Sequence, residues 1–175
     1  MSEHKKRIAV CPGSYDPPTV GHTDVIRRAS AVFDEVRVLV CVNSAKKGLF
    51  TSEERAVLIE DALRDCPNVT VEVYEGLLMR YIADNGIDAI VKGIRNTKDF
   101  TYENEMAEAN RLLIEDMCGK HCETLFLLSK PENGHVSSTI VRELFNEDIN
   151  TDVPATLLKV HPDVVLICDK EAYGE

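Results

Sequence analysis

Short apolar runs alternate with longer stretches of helical spacing along this chain. Strand-like runs fall at 7–12, 36–43, 69–74, 87–92 and 123–128. Apolar residues spaced at three and four positions mark helices at 22–33, 52–64, 76–85, 99–117 and 138–146, with a short one near 154–160. In the first helix Val25, Ile26, Ala29, Val32 and Phe33 form the apolar stripe. Two boundaries carry their own chemistry. Thr51-Ser-Glu-Glu54 reads as a capping box that opens the second helix, and Asn85-Gly86 as the stop of the third. Strands alternating with helices of this length predict βαβ units. The expected fold is α/β: a Rossmann-like, doubly wound, parallel five-stranded sheet flanked by helices. No linker, repeat or low-complexity stretch interrupts it. A single domain over 1–175 is expected, with its core at about 7–160 and no assignment for the tail 161–175.

Composition narrows the function classes. The 175 residues are 44% hydrophobic and 29% charged, as in a soluble globular protein with a real core. A net charge of −10 argues against a general nucleic-acid binder. It leaves room for small anionic substrates, because a pocket needs only a few local cations. Runs such as 36–42 are too short to span a bilayer. The segment Met1-Ser-Glu-His-Lys-Lys-Arg7 is not an apolar signal, so a cytoplasmic location is expected. Six cysteines (Cys11, Cys41, Cys66, Cys118, Cys122 and Cys168) then read as free thiols rather than a disulfide framework. Cys118-Gly-Lys-His-Cys122 is half of a zinc-site spacing, and no second pair follows it. No protein-held metal is expected.

The chemistry gathers at the predicted carboxyl ends of the strands, where ligands sit in open α/β sheets. Strand one ends in Cys11-Pro-Gly-Ser-Tyr-Asp-Pro-Pro-Thr-Val-Gly-His22, which delivers a His to a helix N-terminus. Free backbone N–H groups there attract anions, and a His can add donation to phosphate. Strand two ends in Asn43-Ser-Ala-Lys-Lys47, strand four in Lys92-Gly-Ile-Arg95, and strand five precedes Ser137-Ser-Thr139. Each alone is an ordinary loop or cap. Four on one sheet edge point to an anion-handling site. Asp16 is expected to face the same pocket, or to close a local Asx turn.

These blocks resemble the Gly-His nucleotidyltransferase superfamily and, within it, the bacterial phosphopantetheine adenylyltransferase family. The resemblance runs from about residue 7 to about 160. It rests on the Pro12…His22 string, Ser44-Ala-Lys-Lys47 with Phe50-Thr-Ser-Glu-Glu-Arg55, and Lys92-Gly-Ile-Arg95. Asp99-Phe-Thr-Tyr-Glu103 with Asn110-Arg111, and Val136-Ser-Ser-Thr-Ile-Val-Arg142, complete it. The resemblance implies transfer of AMP from ATP to 4′-phosphopantetheine, giving dephospho-coenzyme A and pyrophosphate. It implies His22, Lys46 and Arg95 as catalytic residues. Ser14, Tyr15, His22, Gly93, Ile94, Arg95, Glu103, Ser137, Ser138 and Thr139 are implied at ATP. Ser14, Lys46, Leu78, Lys92 and Asn110 are implied at the acceptor. Mg²⁺ is expected with the triphosphate, and a homohexamer and feedback by coenzyme A follow from the resemblance alone.

The residue types suit that chemistry. The nucleophile is already an anionic phosphate, so cations and N–H donors suffice to position it and neutralise charge. The chain departs from the family pattern at Lys92, where arginine is usual, and at Cys11, where an aromatic is common. It has no Trp at all. The segment Glu103-Asn-Glu-Met, extra residues around Cys118–Cys122, and the tail beyond Val160 also differ. Two other readings compete: a sister adenylyl- or cytidylyltransferase with another phosphate acceptor, and a nucleotide-binding regulator that has lost catalysis.

Overall fold

The structure is a computed structural model, and it describes residues 5–42, 48–130 and 137–146. The chain order is β1 (Ile8–Gly13), α1 (Val20–Ser30), β2 (Glu35–Cys41), α2 (Ser52–Ala62) and β3 (Val69–Tyr74). It continues with α3 (Leu78–Asn85), β4 (Ala89–Ile94), α4 (Thr97–Cys118), β5 (Glu123–Leu128) and α5 (Ser138–Asn146). All five strands are parallel, in the order β3-β2-β1-β4-β5. This is the predicted sheet. The expected helix near 154–160 lies outside the described residues.

Two apolar clusters explain why the sheet is wound on both faces. Ala9, Cys11, Val36, Val38 and Val40 face α1 and α2 through Val25, Ile26, Ala29, Ile59 and Leu63. Val10, Leu39 and Ile90 point the other way, onto Tyr81, Ile82 and Ile114 of α3 and α4. Successive strand residues therefore feed opposite cores, and central strands buried on both sides lose the polar alternation.

Local signals set most boundaries. Thr51 and Glu54 form the predicted capping box, with Glu54 N–H on Thr51 Oγ1 at 3.2 Å and Thr51 N–H on Glu54 Oε2 at 2.8 Å. Gly86 ends α3 in the left-handed region, at φ 64°. The first helix starts two residues earlier than expected, at Val20, because Thr19 is its cap. It also stops at Ser30, leaving Val32 exposed.

The site arises where the chain reverses direction across the sheet. From β1 the order runs outward through β2 to β3, and β4 and β5 lie on the other side. Pairing between β1 and β4 covers Ala9–Ala89 and Val10–Ile90, after which both strands run on toward their carboxyl ends. A crevice at such a switch point is the usual ligand position of this architecture.

Candidate active site

Two adjoining clefts open at that crevice. The first, about 430 Å³, is lined by Ser14, Tyr15, His22, Gly93, Arg95 and Ser129 among others. The second, about 360 Å³, is more apolar and takes Leu77, Leu78, Met79, Met106, Cys41 and Asn110. Pro12, Gly13, Ser14, Lys92, Tyr102 and Glu103 border both. These residues form the junction between a polar cleft and an apolar one.

His22 is set by an unusual capping arrangement. It occupies the third position of α1, and its Nδ1 accepts the backbone N–H of Thr19 at 3.0 Å. A backbone amide can only donate, so Nδ1 is bare and the proton of the neutral ring sits on Nε2. Thr19 Oγ1 lies 3.1 Å from the same nitrogen. Burial, with Arg95 adding to it, lowers the His22 pKa to about 4. His22 is therefore a neutral N–H donor, not a cation. The Tyr15 ring packs edge-on against it at 5.1 Å, and the Tyr15 hydroxyl donates to Cys11 O at 2.9 Å. Tyr15 is buried with φ 50°, so it braces the His rather than reaching outward.

Three elements clamp the turn that carries Ser14. Asp16 is buried, and its carboxylate accepts the N–H groups of Leu49 and Phe50, both at 2.9 Å. This corrects the expectation that Asp16 faces the pocket or closes a local turn. Two amide donors from the chain after β2 capture both of its oxygens. Arg55 of α2 donates to Ser14 O at 2.9 Å. From α5, Arg142 donates to Asp16 O and Ser138 Oγ donates to Pro17 O at 2.8 Å.

The end of β4 supplies the cations. Lys92 pairs with Glu103 at 3.3 Å and Arg95 with Asp99 at 2.8 Å. Gly93 between them lets α1 approach, since a Cβ there would stand 2.8 Å from Val25 Cγ2. Beyond β5, Lys130 reaches Asp24 of α1 at 2.8 Å, and Arg28 donates to Leu128 O at 2.8 Å. These contacts hold Ser129 against the first cleft.

The structure thus brings Ser14, Tyr15, His22, Gly93, Arg95 and Glu103 to one cleft, and Leu78 and Asn110 to the other, with Lys92 between. Ile94 is buried, and its carbonyl accepts Ser129 N–H at 2.8 Å. Ser137, Ser138 and Thr139 sit at the start of α5, where Ser138 secures Pro17 and Thr139 Oγ1 accepts from Arg142. Lys46 lies outside the described residues. Cys11 is buried on the cleft floor, where burial pushes its thiol up to about 12. Cys122 is buried in the core beside Ile114. Among the described residues, no group of three or more His, Cys, Asp or Glu is placed to hold a metal ion. No described helix is long and apolar enough to cross a membrane.

Sequence reasoning missed Thr19, Arg55, Arg142 and the apolar wall of the second cleft. For that wall a signal existed: Tyr102, Met106 and Asn110 recur every four residues on α4 and so share a face. The two arginines end blocks that carry the resemblance, but nothing along the chain gives them a role, since the carbonyls of Ser14 and Asp16 that they clamp lie far away in sequence.

Known proteins place this arrangement in a lineage. The cytidylyltransferase-like family matches residues 10–144. Two solved structures share the fold at 19% identity. One is a lipopolysaccharide core biosynthesis protein from Thermoplasma volcanium, with a TM-score of 0.53 over 72% of this chain and 99% of that one. The other, provisionally assigned as a nicotinate-nucleotide adenylyltransferase from Vibrio parahaemolyticus, has a TM-score of 0.63 over 96% of this chain and 94% of that one. The phosphopantetheine adenylyltransferase of Leuconostoc citreum is 47% identical over 137 residues, 78% of this chain and 83% of its own. That of Corynebacterium diphtheriae is 45% identical over 151 residues, 85% of this chain and 91% of its own. With the Gly-His turn, the strand-four cations and the two clefts in their places, the chain belongs to the phosphopantetheine adenylyltransferase family of cytidylyltransferase-like proteins.

Proposed function

We propose that this protein transfers AMP from ATP to 4′-phosphopantetheine, forming dephospho-coenzyme A and pyrophosphate in coenzyme A biosynthesis. The observation that carries the reading is the junction. A polar cleft and an apolar one meet at Ser14, Lys92 and Glu103, so two ligands of different character can bring their phosphates together there.

The nucleotide takes the first cleft, with His22 Nε2–H and Arg95 toward its phosphates. The acceptor's aliphatic arm lies along Leu78 and Met106, with Asn110 for its amides and Lys92 for its phosphate. Attack is direct: an acceptor phosphate oxygen bonds to the α-phosphorus as the bond to pyrophosphate breaks. No enzyme nucleophile is involved. Catalysis comes from alignment and from donors aimed at the charge that shifts onto pyrophosphate. Lys46 and the segment 137–139 complete the donor set in this reading. Mg²⁺ bound with ATP would offset the charge of the phosphates; among the described residues no carboxylate cluster is placed to hold it.

The exposed apolar residues of α4 and β5, among them Leu112, Leu113, Met117, Leu125 and Leu128, support assembly into a homo-oligomer, a hexamer in this reading. Coenzyme A carries both a pantetheine arm and an adenine nucleotide, which is the chemistry by which it could compete for both clefts and act as a feedback inhibitor. The reaction is assigned to the cytoplasm. Pyrophosphate release tests the reading, using ATP and Mg²⁺ with 4′-phosphopantetheine, nicotinate mononucleotide or glycerol 3-phosphate in separate reactions. Release only with the first is expected, and release with none refutes the enzyme.

A further inference from the structure

Both cations at the end of β4 are already neutralised by α4. Asp99 and Glu103 stand four residues apart on that helix, so they share a face, and they take Arg95 and Lys92 respectively. The Lys92–Glu103 pair is not an ordinary surface pair. Its side chains are only 26% and 22% exposed, and both residues border both clefts. A phosphate arriving at Lys92 meets a cation with a carboxylate in place, and that carboxylate repels it. Glu103 therefore needs another partner before Lys92 can serve. The first cleft can provide one, because the two adjacent hydroxyls of a ribose are donors that a carboxylate accepts.

We propose that Glu103 couples the two clefts: it holds Lys92 while the first cleft is empty, and a nucleotide there draws it away and frees Lys92 for the acceptor phosphate. The inference rests on the adenylyl-transfer reading. Lysine suits the exchange, since its compact point charge is satisfied by one anion at a time. A guanidinium, with five donors, could hold carboxylate and phosphate together. By linkage, acceptor must strengthen nucleotide binding by the same factor.

Calorimetric titration of 4′-phosphopantetheine, alone and with saturating α,β-methylene-ATP and Mg²⁺, tests this on wild type and Glu103→Gln. The amide is isosteric on a partly exposed helix face, so the fold is retained. In wild type the analogue is expected to tighten acceptor binding at least about fivefold. In the variant, acceptor alone is expected to bind nearly as tightly as in the analogue-loaded wild type, with less than about twofold further gain. Equal synergy in both proteins overturns the coupling. So does weaker acceptor binding by the variant alone, which means Glu103 only orients Lys92. Acceptor binding to wild type without synergy refutes the coupling alone, whereas a wild type that binds the analogue but not the acceptor refutes the functional reading with it.

Discussion

The backbone N–H of Thr19 donates to Nδ1 of His22 at 3.0 Å, and this one contact decides which nitrogen of the catalytic candidate carries the proton. The ring keeps Nε2–H for the cleft without being charged. A neutral donor placed before the reaction stabilises developing charge and needs no proton transfer of its own.

His22→Ala is therefore expected to lower kcat by about 10²–10³-fold while KM for ATP changes only a few-fold. Steady-state rates of pyrophosphate release measure the split. A rise in KM with kcat unchanged would mean that the ring contributes only ground-state binding.

The same residue predicts a pH dependence of stability. Its pKa falls from 6.5 to about 4 on folding, so below pH 6.5 the unfolded chain binds a proton that the native ring does not. The contribution is complete above the unfolded pKa and is lost as pH falls from 6.5 toward about 4. Urea midpoints of His22→Gln should fall less steeply than wild type across that window. Identical slopes would show that other groups carry the effect.

Asp16→Ala leaves the part-buried amide of Leu49 and the buried amide of Phe50 without their acceptor, at a cost of about 2–4 kcal/mol. Urea denaturation should show it, with Asp16→Asn losing less because its remaining carbonyl oxygen still accepts one bond. No change for either variant would contradict the clamp.

Gly93→Ala places a methyl 2.8 Å from Val25 Cγ2 and is expected to cost about 1–3 kcal/mol by overpacking. Since Val25 is buried, Val25→Ala opens a cavity of its own. The double variant should be more stable than the sum of the two losses predicts. Strict additivity in thermal melts would rule out the contact as the cause.

Leu78→Asp tests whether the two clefts serve two ligands. Leu78 borders the apolar cleft and not the polar one. A carboxylate there is expected to raise KM for the acceptor about tenfold or more, with KM for ATP nearly unchanged. A parallel rise in both would undo the separation.

Much of the fold is legible along the chain itself. The apolar runs place the strands, most plainly the central ones, because a strand buried on both faces must be continuously apolar, as Ala9–Cys11 and Val38–Val40 are. Parallel strands joined by helices must put their carboxyl ends on one edge, so Ser14, His22, Lys92 and Arg95 can be assigned to a common site from order alone. The direction of Asp16 cannot. A carboxylate beside a pocket and one turned to a neighbouring loop read the same along the chain, and here the choice belongs to the amides of Leu49 and Phe50, more than thirty residues on.

The chain by itself therefore determined which strand ends meet, because periodicity and chain order are properties of the sequence. Only the tertiary structure decided what each residue does at the meeting point. The bare Nδ1 of His22, the turning away of Asp16 and the pairing of Lys92 with Glu103 each depend on a donor, acceptor or charge within about 3.5 Å. Contacts at that range are fixed by packing between elements, which local pattern does not encode.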